Sequence, residues 1–215
     1  VLDPTKTYTL PPQQLANGVV DAFVHTVEQY LTYPVNAPVQ DRFAEGILHT
    51  LIEVGPRLLT ATEPVYDDRA NLMWAATMAL NGLIGAGVPQ DWATHMIGHE
   101  LTALHGIDHA RTLAIVLPAL LNERRGPKRA KLLQYAERVW GITTGSEDER
   151  ITAAIERTRD FFESMGIRTR LSGYGLGAEV IEKVIAQLEA HGMVKLGEQR
   201  EITPAVSRRI LEAAL

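Results

Sequence analysis

The sequence contains no cysteine. That excludes disulfide scaffolds, thiolate zinc sites, iron–sulfur clusters and cysteine nucleophiles. Long apolar runs are missing too. The stretch Leu113–Leu121 is interrupted by Pro118, and a membrane-spanning helix needs about 18 such residues or more. Positive charge is in deficit, with 21 Lys and Arg against 26 Asp and Glu and a net charge of −5. A nucleic-acid or anionic-membrane partner would therefore need a local basic patch. Glu123–Lys131 (ERRGPKRAK) has five cations and one acid; it reads as a solvated loop and helix start, and neither partner is expected. The shortage of apolar residues that marks disorder is itself lacking, since the 215 residues are 46% hydrophobic and 22% charged. The opening Val1-Leu-Asp-Pro-Thr-Lys-Thr-Tyr8 has no basic stretch followed by an apolar one. A secretory leader is thus not read there, and a cytoplasmic protein is expected.

Strand-like sequence is scarce, with Thr5–Leu10 the best candidate, and nearly everything else carries helical spacing. Pro11-Pro12 opens a first helix in which Leu15, Val19, Phe23, Val24 and Val27 recur up to about Leu31. Pro38 starts a second through Phe43, Ile47, Leu51 and Val54, which Gly55-Pro56 breaks or kinks. Asp67 reads as the N-cap of a third, with Leu72, Met73, Ala76, Leu80 and Leu83. Asp91 caps a fourth, Trp92 to about Leu104, ended by Gly106. A fifth runs from near Asp108 to Asn122, a sixth from Gly126-Pro127 to Trp140, and a seventh from a Ser146/Glu149 capping box to Gly166. An eighth spans about Ala178–Ala190, and Thr203-Pro204 starts a short last one. The expectation is one all-α domain over residues 1–215, with about nine helices.

Seven histidines occur, and His95, His99, His105 and His109 crowd into fifteen residues. His95 and His99 are four apart on the fourth helix, so both project from one face. The string His99-Glu-Leu-Thr-Ala103 is not a zincin motif, because Ala103 stands where the second His would be. The inverted motif fails at Gly98. Gly106 permits a turn that returns His109 towards the His95/His99 face. On the first helix Asp21 and His25 form a second i,i+4 pair among Val19, Val20, Ala22, Phe23 and Val24. An ionised Asp in such surroundings is costly unless paired or bound to a cation. Asp21, His25 and two of the later histidines thus make a nitrogen and oxygen donor set suited to Fe(II), Zn(II), Co(II) or Ni(II). A single histidine is more often a hydrogen-bonded core residue; four around one helix–turn–helix point to metal or catalysis.

The segments Gly18-Val-Val-Asp-Ala-Phe-Val-His-Thr-Val-Glu-Gln-Tyr30 and His95-Met-Ile-Gly-His-Glu-Leu-Thr-Ala-Leu-His-Gly-Ile-Asp-His109 resemble the iron-containing (group III) alcohol dehydrogenases. The similar branch is that of the butanol dehydrogenases and NADPH-dependent aldehyde reductases. The resemblance covers essentially the whole chain. It implies that Asp21, His25, His95 and His109 are the ligands of one divalent metal, Fe2+ or Zn2+. It places His99 beside the nicotinamide and the substrate as the catalytic and cofactor-contacting histidine, and leaves His105 structural. Members of the family carry an N-terminal α/β dinucleotide-binding domain with a Gly-rich phosphate loop, and no counterpart is read here. Gly82, Gly85 and Gly87 follow a helix and read as its end. The chain is therefore expected to be the C-terminal, metal-binding half of such an enzyme.

The activity so implied is reversible reduction of a small aldehyde to an alcohol by NADP(H), more than NAD(H), bound mainly by the absent domain. The partners so implied are that dinucleotide-binding domain and, through Thr5–Leu10, a second copy in a homo-oligomer. Two other readings attach to the same residues. Asp108-His109 on a helical scaffold resembles the HD-type metal-dependent phosphohydrolases, although the Asp21/His25 pair has no role in that pattern. The remaining reading is a non-catalytic helical interaction module with buried, uncharged histidines.

Overall fold

The computed structural model describes residues 1–215 and contains nine α-helices and no strand. These are α1 (Pro12–Tyr30), α2 (Pro38–Thr60), α3 (Tyr66–Leu80), α4 (Ala93–His105), α5 (His109–Glu123), α6 (Arg129–Arg138), α7 (Glu147–Ser164), α8 (Glu179–Ala190) and α9 (Pro204–Ala213). The sole β-type pairing is an isolated bridge between Leu196 and Ile202. No helix is long and apolar enough to cross a membrane.

Two helices form the centre. α1 buries residues on every side, from Leu15 to Tyr30, and packs on α2, α3 and α5. α5 is buried continuously from Thr112 to Leu121 and packs on α1, α4, α7 and α9. A helix with buried residues on every side must be enclosed by its neighbours, and α1 and α5 accordingly lie at the middle. The core is one contiguous cluster, with the aromatic group Phe23, Tyr135, Trp140, Phe161 and Phe162 between α1, α6 and α7.

Several local expectations are corrected. Thr5–Leu10 is not a strand: Pro4–Thr7 form a 3-10 turn. Asp3 accepts hydrogen bonds from the Thr5 amide (3.0 Å) and hydroxyl (2.6 Å), and Arg69 donates to the Thr7 carbonyl at 2.6 Å. An Asp cap followed by Pro outweighs the β-branched content of the segment. α2 is not broken at Gly55-Pro56 but continues to Thr60. The proline forfeits one backbone hydrogen bond, yet Val54 and Leu58 are buried. A Cβ on Gly55 would meet Val19 Cγ1 at 3.0 Å, so close packing on α1 holds the helix through its weak point. Asp67 does not cap α3. It lies in the first turn with Asp68, and the cap position falls to Val65. Asp68 pairs instead with Arg57 at 2.8 Å. Leu83 lies beyond the end of α3, in the glycine-containing turn, where Gly82 and Gly87 have φ of 91° and 74°.

The Ser146/Glu149 capping box forms as read, with both reciprocal hydrogen bonds present. The basic segment leading into α6 is neutralised locally. Arg124 pairs with Glu201, Arg129 with Glu147 and Asp148, Lys131 with Asp41, and Lys128 with Asp91 and Glu198.

Candidate metal centre

On α1, Asp21, His25 and Glu28 follow one another at i, i+4 and i+7, a spacing that sets all three on one stripe of the helix. The stripe is polar within a helix whose remaining surface is core, so its side chains must satisfy one another. Asp21 Oδ2 lies 3.4 Å from His25 Nε2.

The other half of the site comes from α4 and α5. Gly106 ends α4 in the left-handed conformation, with φ of 67°, and its amide donates to the Thr102 carbonyl at 2.9 Å. That conformation is nearly free only for glycine, and it turns the chain so that α5 runs back along α4. Gly98 sets how close the two helices come, since a Cβ there would meet Thr112 Oγ1 at 3.0 Å and Leu113 Cδ2 at 3.1 Å. Asp108, just before α5, accepts hydrogen bonds from Gln13 at 2.8 Å and Asn17 at 3.0 Å, tying the start of α5 to the start of α1. Asp108 therefore faces α1 amides, whereas His109 turns inward and sets Nε2 3.4 Å from Asp21 Oδ1. The adjacent His-Asp pair of a phosphohydrolase would need both side chains at one ion.

The result is a nest of imidazoles around one carboxylate. Ring centroids are 4.3 Å apart for His25 and His95, 5.1 Å for His95 and His109, and 5.0 Å for His99 and His109. Donor atoms of Asp21, His25 and His95 all lie within 4.8 Å of one another, and His109 joins them through Asp21. Asp21 Oδ1 and His95 Nε2 are buried with no hydrogen-bond partner, as is Nδ1 of the His25 ring whose Nε2 faces Asp21. Buried polar atoms are rarely left so, and Asp21 Oδ1 and His95 Nε2 left so within a nitrogen and oxygen donor set fit a divalent cation. His99 is exposed at the rim, its ring 6.0 Å from that of His95. His105 stands apart from the group, with Nε2 buried and unpartnered.

Electrostatics favour the ligand-ready protonation states. Burial, with the neighbouring His25 and His109, pushes the His95 pKa down to about 3, and burial lowers that of His109. Both rings are therefore neutral at pH 7 with a lone pair available. Burial works to raise the Asp21 pKa, but the His25 hydrogen bond and the electrostatic interaction with the surrounding imidazoles outweigh it and hold the carboxyl below its ordinary value.

Residues 15–215 match the model of the Fe-containing alcohol dehydrogenase family, C-terminal part. The chain belongs to this family. It is 72% identical over 214 residues to the NADPH-dependent aldehyde reductase YqhD of Escherichia coli, covering 100% of this chain and 55% of that protein. It is 38% identical over 207 residues to NADH-dependent butanol dehydrogenase A of Clostridium acetobutylicum, covering 94% of this chain and 52% of that one. The substrate- and cofactor-free structure of the Escherichia coli reductase superposes with a TM-score of 0.98 at 71% identity, over 100% of this chain and 56% of that one. The Thermotoga maritima NADH-dependent butanol dehydrogenase A gives 0.90 at 31% identity, over 99% and 55%. The chain thus spans about half the length of the curated relatives it matches.

In this member of the family, two residues at the site escaped the sequence reading. The Trp92 ring stands edge-on to His25 and His95, with centroids 5.7 and 5.4 Å away, and walls the site. Glu28 is buried against His95. A signal for Glu28 existed, a carboxylate on the Asp21/His25 stripe amid core residues. None existed for Trp92, which read only as the start of a helix.

Proposed function

We propose that the chain is the metal- and substrate-binding part of an NAD(P)-dependent, metal-containing alcohol dehydrogenase, working as an aldehyde reductase. The observation that carries this reading is the convergence of Asp21, His25 and His95, with Asp21 Oδ1 and His95 Nε2 buried and unpartnered. Asp21, His25, His95 and His109 would hold the cation, Fe2+ or Zn2+, which when bound supplies Lewis acidity towards a carbonyl oxygen.

The chain's own residues do the rest. Asp21 brings the negative charge that offsets the cation, while the neutral imidazoles of His95 and His109 bring lone pairs without further charge. Trp92 keeps water from the His25 and His95 side of the site. A polar cavity of about 350 Å³, lined by Gln14, Asn17, Gly18, Asp21, Asp108 and His109, admits the small aldehyde next to Asp21. His99, exposed beside His109, carries a proton between solvent and the substrate oxygen as hydride passes between the nicotinamide and the carbonyl carbon. An aldehyde, a reduced nicotinamide and one proton give an alcohol and the oxidised nicotinamide.

NADP(H) is preferred over NAD(H) because the relative at 72% identity is NADPH-dependent, whereas the one at 38% is NADH-dependent. The cofactor would be held mainly by a dinucleotide-binding domain. That domain and a second copy of the chain are the partners for exposed apolar side chains such as Tyr66, Trp74, Leu80 and Leu83. The test is metal analysis of the purified chain, together with NADPH oxidation by butanal when the chain is joined to a relative's dinucleotide-binding domain. One divalent metal per chain and activity of the joined protein are expected. A chain that takes up neither Fe2+ nor Zn2+ would overturn the reading.

A further inference from the structure

Glu28 is 3% exposed and lies on the α1 stripe that also bears Asp21 and His25. Its Oε1 accepts the backbone N–H of Thr94 at 2.6 Å and of His95 at 3.3 Å, and its Oε2 is in hydrogen-bond contact with His95 Nδ1. One carboxylate therefore grips both the backbone and the ring of His95. Burial and Asp91 push the Glu28 carboxyl up and the two amides on Oε1 work against that rise. With Oε1 so occupied, Oε2 is the atom that meets the ring, and as a carboxylate oxygen it accepts from the imidazole. The proton then sits on Nδ1 and the lone pair on Nε2. That Nε2 is the buried, unpartnered atom pointing into the histidine nest.

The carboxylate has no freedom to swing elsewhere. The Asp91 amide donates to the Glu28 carbonyl at 2.8 Å. Asp91 is held by Lys128 at 2.9 Å, and Lys128 in turn by Glu198 at 2.8 Å and by the Leu31 carbonyl at 2.6 Å. The cavity among Glu28, Asp91, Thr94 and Lys128 measures about 10 Å³, no more than the space of a single water.

We propose that Glu28 is the positioning residue of the metal centre: it fixes the Nδ1-protonated tautomer and the orientation of His95, so that Nε2 faces the cation. This rests on the metal-centre reading above. Carboxylates behind a ligating imidazole make it a stronger donor, and their loss typically weakens metal binding by about 10–100-fold. A competing role is purely structural, as an anchor for the first turn of α4, where two amides would otherwise lack partners.

The experiment is a competition titration of Zn2+ against a chromophoric chelator, on the wild-type chain and on Glu28→Gln. Thermal unfolding of both in metal-free form is recorded alongside. Gln matches the shape of Glu but can turn an N–H towards Nδ1, which favours the wrong tautomer. Zn2+ affinity is expected to fall about 10–100-fold, and the rise in melting temperature on adding Zn2+ should shrink with it. A lower metal-free melting temperature with unchanged Zn2+ affinity means that Glu28 is only an anchor, and overturns the proposal while leaving the metal reading intact. A wild-type chain that binds no Zn2+ overturns both. A second measurement needs no variant: nitrogen-15 spectra of the imidazoles in the metal-free wild-type chain should show neutral His95 protonated at Nδ1. Protonation at Nε2 would overturn the proposal.

Discussion

The Asp21 carboxylate links two helices, standing 3.4 Å from His109 Nε2 through one oxygen while its other oxygen stands 3.4 Å from His25 Nε2. Asp21 and His25 share α1, and His109 opens α5, so this carboxylate is where a local helix pair becomes a tertiary site. The adjoining His95, on α4, supplies the most buried imidazole of the group, 4% exposed.

The roles of His95 and His99 separate by mutation. His95→Ala should lose metal, because it removes one of the four proposed donors. His99→Ala should keep its metal and, once joined to a dinucleotide-binding domain, lose turnover by about 10²–10⁴-fold, the usual size of a general acid–base contribution. Metal content by elemental analysis and the rate of NADPH oxidation are the two measurements. Metal lost from the His99 variant and kept by the His95 variant would reverse the assignment.

Gly98→Val should damage the site without touching a donor atom. Its side chain would enter space held by Thr112 and Leu113, at 3.0 and 3.1 Å from the position of a Cβ. Overpacking of this kind costs about 1–3 kcal/mol, and relief requires α4 and α5 to part, drawing His109 away from His95. The expected outcome is a lower urea midpoint together with weaker Zn2+ binding. Unchanged metal affinity in a destabilised variant would show that the helix spacing does not set the donor geometry.

Lys128→Met should be severe for stability. Lys128, Asp91 and the Glu198 side chain are 3%, 3% and 7% exposed, so the substitution leaves two buried carboxylates without their cation. Breaking a buried pair in this way typically costs about 3–5 kcal/mol. Chemical denaturation measures it directly, and a loss under about 1 kcal/mol would mean that water reaches the carboxylates.

Glu45 should make stability depend on pH. Burial would raise its pKa, but hydrogen bonds from Arg42, Tyr30, Gln134 and Arg138 outweigh that and hold it below the ordinary value. A carboxyl with a depressed folded-state pKa contributes stability in full above its unfolded value, about 4.3. It loses that contribution as pH falls through the lower folded value. Glu45→Gln should therefore be less stable than wild type at pH 7, with the gap narrowing below about pH 4. A gap constant from pH 7 to pH 3, in urea unfolding, would show that the charge of Glu45 is not what holds Arg42 and Arg138.

Helix content, the N-cap at Ser146 and the two histidine-bearing stripes were legible along the chain, because apolar spacing, capping residues and i,i+4 neighbours are local properties. The family was legible from the Gly18–Tyr30 and His95–His109 segments for the same reason: most of the donor spacing lies within single helices or across one short turn. Local signals misled at Thr5–Leu10 and at Gly55-Pro56. In the first, a cap and an interhelical arginine decided the conformation; in the second, packing against Val19 and Met165 did. What only the tertiary structure decided was which groups meet at His95. Glu28 stands out as a carboxylate on the Asp21/His25 stripe, but nothing in the sequence says that its partner is His95, or that Trp92 meets His25 of α1. Both contacts depend on where the start of α4 comes to lie beside α1, and that is set by core packing summed over the whole helix bundle.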